Sequence, residues 1–417
     1  MFGTLLPFLM FGILLASILA KPLARSRWLP LPVALVVLGF VSSEIWVGLG
    51  MDTGLRWEIL RDLVFYLLLP ILIFEAAINI DTRLLRRDAL LIGSLSLPLL
   101  LVAAGLAAAV VWWLMGGALD HSWALALLVG AMICATDPAM ISGLLGGNGG
   151  GQRAQGILEG ESLINDATTI TLFVMLSAWL TTPDSSLSTG AFAGRFALTL
   201  LGGAALGVLL GWLLDRVIGP ANDKVLATSA TLVLAFASFW IGEHLLGLSG
   251  VVATLTAGVT VAWRQRRHRS EEDIAFALDA WQLLGFCANA MLFFAVGMSI
   301  TVGMFQEHWL AMLIGIAAAL LSRAVIVFLG VGPLSWLPRV GRLGLAEQNL
   351  LMWGGIRGAV AIALALSLST DIPHWYTIQS TVYGVALFSL VVQTPLLPRL
   401  ASGKAVKPGG DSDGAVV

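Results

Sequence analysis

Thirteen predominantly apolar stretches, each of a length that crosses a hydrocarbon layer, run almost end to end along this chain. In a window of about 19 residues they fall near 4–20, 29–49, 59–80, 89–115, 122–146, 155–180, 191–218, 226–246, 249–263, 276–301, 308–333, 348–369 and 375–398. The ninth is short and nearly fused to the eighth. With 58% hydrophobic and only 12% charged residues among 417, there is too little polar surface to cover a soluble globule, so lipid must be the main solvent. Backbone groups in hydrocarbon must pair internally, which demands helices; a barrel would show alternating strands of about ten residues. Cys134 and Cys287 both lie in apolar stretches and the five histidines have no ligand spacing, so neither a disulfide framework nor a resident metal or other cofactor is expected. The N-terminus lacks a basic leader and reads as the first span. A formal net charge of −2 gives no reason to expect a nucleic-acid partner.

The basic residues test this reading. If the loops after odd-numbered spans face the cytoplasm, they and the C-terminal tail carry Lys21, Arg25, Arg27, Arg83, Arg86, Arg87, Arg153, Arg216, Lys224, Arg264, Arg266, Arg267, Arg269, Arg339, Arg342, Arg399, Lys404 and Lys407, or 18 of the 23. The other side keeps Arg56, Arg61 and Arg195. The positive-inside rule then places the N-terminus outside and the C-terminus in the cytoplasm. Arg323 and Arg357 remain, both inside membrane segments.

Ionisable residues at membrane depth cost several kcal/mol each and mark function or a buried pair. Here they are Asp137, Glu161, Asp166, Glu243, Glu75, Arg323 and Arg357. Span five carries Ala135-Thr136-Asp137-Pro138, and a proline there should break the helix at Thr136-Asp137. Asp137 either serves the ion or caps the second half-helix. Span twelve carries Gly354, Gly355, Ile356, Arg357 and Gly358, a second weak point at mid-membrane depth. With span seven as a linker, the two interrupted spans occupy equivalent places in two six-helix units of opposite orientation. The expected fold is an all-α polytopic membrane protein of about thirteen transmembrane helices, two inverted six-helix repeats with broken helices crossing at mid-membrane.

Span six holds Glu161-Ser162-Leu163-Ile164-Asn165-Asp166. Helical spacing stacks Glu161 over Asn165 and Ser162 over Asp166 on adjoining faces. Carboxylate, hydroxyl, carboxamide and freed carbonyls suit a dehydrated monovalent cation. One buried carboxylate that holds either a proton or a cation performs exchange. Since Asn165 does not titrate, one-for-one electroneutral exchange is expected, by alternating access with competition at Asp166. Na⁺ is taken as first choice, with Li⁺ beside it and K⁺ the alternative, but side-chain types do not set cavity size, so the residues leave the ion open. An intramembrane aspartyl protease would pair Asp137 with Asp166, but neither has that class's sequence context, and a channel would need repeated filter sequences. No enzymatic activity is expected.

These residues resemble the monovalent cation:proton antiporter-1 family, the NhaP/NHE type of sodium/proton antiporters. The likeness runs through Leu69-Pro70, Phe74-Glu75-Ala76-Ala77 with Asp81 and Arg86, Ala135-Thr136-Asp137-Pro138, Glu161 to Ala167, Ser322-Arg323-Ala324, and Trp353 to Val360. It implies a single transporter domain over 1–417, with core helices near 89–180 and 308–398 and dimerisation or scaffold helices near 1–80 and 191–301. A short cytoplasmic tail at 401–417, a homodimer, an elevator-like movement of the core and a part in pH homeostasis are also implied. Asp166 is similar to the family's ion- and proton-carrying carboxylate, with Asp137, Thr136 and Ser162 as further Na⁺ ligands and Asn165 as the helper asparagine. Glu161 with Arg357 resembles a structural ion pair between spans six and twelve. Among the supporting residues, Arg323 answers carbonyls or an acid; Glu75 and Glu243 are polar glue or access-path groups. The basic run from Arg264 to Arg269 reads as a cytoplasmic loop meeting anionic headgroups. A bacterial cytoplasmic membrane is the expected location.

Overall fold

A computed structural model describes residues 2–24, 30–50, 57–137, 152–181, 189–218, 223–334 and 341–401, and within them the chain is helical, with no strand. Pro138, Arg339 and the tail beyond 401 lie outside the described residues. Helix starts are set by short polar side chains that answer otherwise unpaired N–H groups. Ser122 accepts from the Leu125 amide, Asp223 from Val225 and Leu226, Ser249 from Val252, and Ser270 from Asp273. Gly247, in the left-handed region at φ 61°, ends one helix just before Ser249 begins the next. The eighth and ninth apolar stretches are thereby separate helices.

Among the described residues, eight helices are long and apolar enough to cross a membrane: Leu31–Gly48, Ala89–Leu119, Arg153–Thr181, Gly190–Ile218, Lys224–Leu246, Glu271–Ser299, Val302–Leu334 and Trp375–Leu397. Their outward faces are apolar, with Leu201, Val217, Leu329 and Trp113 all about three-quarters exposed, as lipid contact requires. Inward faces pack through small residues, because helices in lipid gain mainly by close approach. The Thr189–Ile218 helix lays Gly207 over the Ala253 carbonyl of Gly250–His268, so tightly that a Cβ there would lie 2.0 Å from the oxygen. Gly39 and Gly297 join Leu31–Gly48 to Glu271–Ser299 in the same way.

Two interruptions position the site. The Trp123–Cys134 helix stops before Ala135, and residues 135–137 are non-helical. The Leu345–Trp353 helix stops at Gly354, and a new helix, Ala359–Leu366, starts after Gly358. The Asp137 amide donates to the Ile356 carbonyl at 2.9 Å, so the two broken backbones are joined directly.

Candidate ion-binding site

Three segments meet at the interruptions: the non-helical residues 135–137, the stretch 354–358, and the Gln152–Thr181 helix that carries Glu161, Ser162, Asn165 and Asp166. All of these side chains are buried, Ser162 completely and Asp166 to all but 6%.

Freed backbone groups recruit most of the polar side chains. Asn165 Nδ2 donates to the Cys134 carbonyl at 3.1 Å and to Thr136 Oγ1 at 3.0 Å, while its Oδ1 accepts from Thr169 Oγ1 at 2.9 Å. The carboxamide is thus committed to the broken helix end and fixes the Thr136 hydroxyl. Asp137 reaches across the gap, its Oδ2 accepting from the Ala359 amide at 2.8 Å. It caps the second half of the other broken helix. Gly358 makes room for it, since a Cβ there would lie 2.1 Å from Asp137 Oδ2.

The buried arginines divide differently from the expected pairing. Glu161 is not paired with Arg357. Its carboxylate receives both terminal nitrogens of Arg323, Nη2 to Oε2 at 2.8 Å, and Arg323 also donates to the Leu351 carbonyl through Nε at 3.1 Å and Nη2 at 2.9 Å. Arg357 instead donates through Nε to the Ile133 carbonyl at 2.9 Å and through Nη1 to the Gly355 carbonyl. The physical reason lies in the interruptions: carbonyls left open at 133 and 355 surround Arg357, whereas Arg323 comes from the last turn of the Val302–Val325 helix, far from the kink at His308, and lies opposite Glu161. Arg323 is therefore the ion-pair partner that sequence reasoning left among the supporting residues. Nothing in residue order distinguishes the two arginines; the one local hint is that Arg357 lies among glycines.

What remains is a small set of oxygens without protein partners. Asp166 Oδ1 and Ser162 Oγ are buried and, among the described residues, make no hydrogen bond. They stand one turn apart on a helix, with the Thr136 backbone beside the Asp166 carboxylate. A carboxylate oxygen and a hydroxyl left unmatched in a dry interior cost free energy unless something else binds them. A hard cation or a proton answers that need.

The two other acids stand apart. Glu75 is half-buried, accepts from Asn79 Nδ2 at 2.8 Å and packs against Gly285. Glu243 accepts from the Gly250 amide at 3.1 Å and lines two cavities of about 390 and 360 Å³. Both cavities run along the Thr181 end of the helix that bears Asp166, and the first is floored by Ile170, one turn beyond it.

The family described as sodium/hydrogen exchanger, transmembrane, matches residues 9–403. The Na⁺/H⁺ antiporter NhaH of Halobacillus aidingensis is 30% identical over 391 residues, covering 91% of this chain and 94% of the relative. The Na⁺/H⁺ antiporter NhaP of Pseudomonas aeruginosa is 30% identical over 358 residues, 81% of each. The solved structure of the sodium proton antiporter MjNhaP1 from Methanocaldococcus jannaschii superposes with a TM-score of 0.79 over 95% of this chain and 98% of that one; at 20% identity it speaks for the fold. A multi-pass helical membrane protein with this match over nearly its whole length belongs to the sodium/hydrogen exchanger family of transporters.

Proposed function

We propose that this protein is a Na⁺/H⁺ antiporter in which Na⁺ and H⁺ compete for Asp166. The observation that carries the reading is the pair of unmatched buried oxygens, Asp166 Oδ1 and Ser162 Oγ, beside a Thr136 hydroxyl already held by Asn165. In the proton-loaded state the Asp166 carboxyl is neutral and tolerates its burial. When Na⁺ arrives, the proton leaves, and the carboxylate, Ser162 Oγ and Thr136 Oγ1 replace part of the ion's water. Asp137 adds negative charge nearby while its Oδ2 stays on the Ala359 amide. Asn165 acts here as a positioning residue for Thr136. One carboxylate gives one charge for one charge, hence electroneutral exchange, with Li⁺ accepted by the same oxygens.

The alternating access this needs is assigned to helices near 89–180 and 308–398 moving as a core against scaffold helices near 1–80 and 191–301, which also form a homodimer. Glu243 and the cavities it lines supply one access route. By the distribution of basic residues, the N-terminus lies outside and the C-terminus in the cytoplasm of a bacterial inner membrane. The relatives named antiporters for Na⁺ and H⁺ support the choice of ions.

The test is dequenching of a pH-sensitive dye in proteoliposomes with an acidic lumen, adding Na⁺, Li⁺ or K⁺ in turn. Na⁺-triggered proton efflux that is unaffected by an imposed potassium diffusion potential is expected. A rate that follows voltage would overturn electroneutrality, K⁺ as the sole active ion would overturn the choice of Na⁺, and silence from folded protein with every ion would overturn antiport.

A further inference from the structure

The basic segment at the end of the Gly250–His268 helix has a partner in the connector ahead of the Ala89–Ser96 helix. That connector is the short helix Thr82–Arg87. Arg266 donates through Nη2 to the Ile80 carbonyl at 2.9 Å and lies 3.6 Å from Asp81, fastening the segment to the end of Leu69–Asn79. Beside this junction stands Trp263, half-buried, with two guanidinium groups gathered on one indole: Arg267 at 4.1 Å and Arg86 at 5.1 Å from the ring centroid.

Two cations drawn to one ring also repel each other. The neighbouring carboxylates do not relieve this, because Asp81 faces Arg266, Asp215 is held by Arg264, and Asp88 is held by Arg153 at 2.8 Å. Among the described residues, no carboxylate lies within ion-pair distance of Arg83, Arg86 or Arg267, and all three are exposed. A row of donors above an indole, at the end of a helix that is apolar up to Trp263, is where phosphate groups of a leaflet lie.

We propose that Arg86 and Arg267, with Arg83 at the rim, bind the phosphate of an anionic phospholipid headgroup over Trp263. The bound headgroup ties the connector to the Gly250–His268 helix. Phosphate geometry favours this assignment, since arginine offers paired N–H donors to two oxygens at once. Free inorganic phosphate carries the same chemistry without the acyl chains, so it serves as the discriminating arm.

The experiment uses the full chain in a neutral detergent, with thermal unfolding and native mass spectrometry read in parallel. Phosphatidylglycerol, phosphatidylcholine or inorganic phosphate is added to wild type and to the double variant Arg86→Gln with Arg267→Gln. Wild type is expected to retain phosphatidylglycerol and melt higher with it than with phosphatidylcholine. Removing two cations should weaken retention roughly 30-fold and abolish that difference in melting. If the double variant already melts low in phosphatidylcholine, the pair Arg86→Lys with Arg267→Lys replaces it and must keep the phosphatidylglycerol-specific shift. Equal shifts in wild type and the glutamine variant, or no shift in either, would overturn the site. An equal shift with inorganic phosphate alone would overturn the lipid assignment.

Discussion

Glu161 and Asp166 sit five positions apart on one helix, equally deep in the protein, and the chain treats them in opposite ways. Around Glu161 the carboxylate is fully engaged: Arg323 grips both its oxygens, and the Leu351 carbonyl accepts from Nε and Nη2 of that arginine. Around Asp166 the demand is left open, with Oδ1 and the Ser162 hydroxyl unmatched. The contrast separates two uses of a buried charge. A carboxylate with a fixed counter-ion holds helices in register and has no reason to change state, whereas one with an oxygen left unmatched is free to take a proton or a small cation. On the function proposed above, transport chemistry is assigned to the second region and the first keeps it in shape.

Several substitutions sharpen or break this contrast. The largest effect is expected for Asp166→Asn: cation-driven proton flux in proteoliposomes should fall to the protein-free background while melting temperature holds or rises, since an unmatched buried charge is removed. Residual flux above background would place the exchanging group elsewhere. Arg323→Ala should do the reverse, lowering stability by about 3–5 kcal/mol because it strands the Glu161 carboxylate; denaturation in detergent measures it. Replacing the pair together, Glu161→Leu with Arg323→Met, should recover much of that loss. If the single and double variants melt alike, the pair is not the fastening described.

Smaller effects probe the junction between the two regions. Gly358→Ala puts a Cβ against Asp137 Oδ2 and should slow exchange about 100-fold by displacing the groups around the site, with folding largely kept; flux normalised to folded protein decides it. Ser162→Ala should raise the apparent KM for Na⁺ about tenfold, the worth of one oxygen ligand of roughly 1.4 kcal/mol, and leave the maximal rate nearly intact. In wild type, lowering the pH should raise the Na⁺ KM at constant maximal rate, since more of Asp166 is then protonated and the two ions compete; a falling maximal rate at fixed KM would contradict competition.

Much of this was legible in the residues. The apolar stretches dictated a helical membrane protein, and Pro138 together with Gly354, Gly355 and Gly358 located both interruptions, because proline and glycine weaken helices wherever they stand. The order Glu161-Ser162-Asn165-Asp166 placed these four polar groups on adjoining faces of one helix, and all four are buried there. Arg323 and Arg357 were not separable that way. Both are lone arginines in apolar stretches of sequence, and what distinguishes them is whether an acid or an open carbonyl faces them across a helix boundary. The crowding of Arg86 and Arg267 on Trp263 also joins residues about 180 positions apart and leaves no periodic mark.

Local chemistry, then, was decided by the chain alone: which segments enter lipid, where helices fail, and which carboxylates lie deep. Partnership was decided only by the tertiary structure. A buried charge is stabilised by whatever stands within about 3–4 Å of it, and that distance is set by how helices cross rather than by their order. So residue order could name Glu161 and Asp166, but only packing could say that one is gripped by Arg323 and that the other, beside the Thr136 backbone, keeps Oδ1 without a hydrogen-bond partner among the described residues.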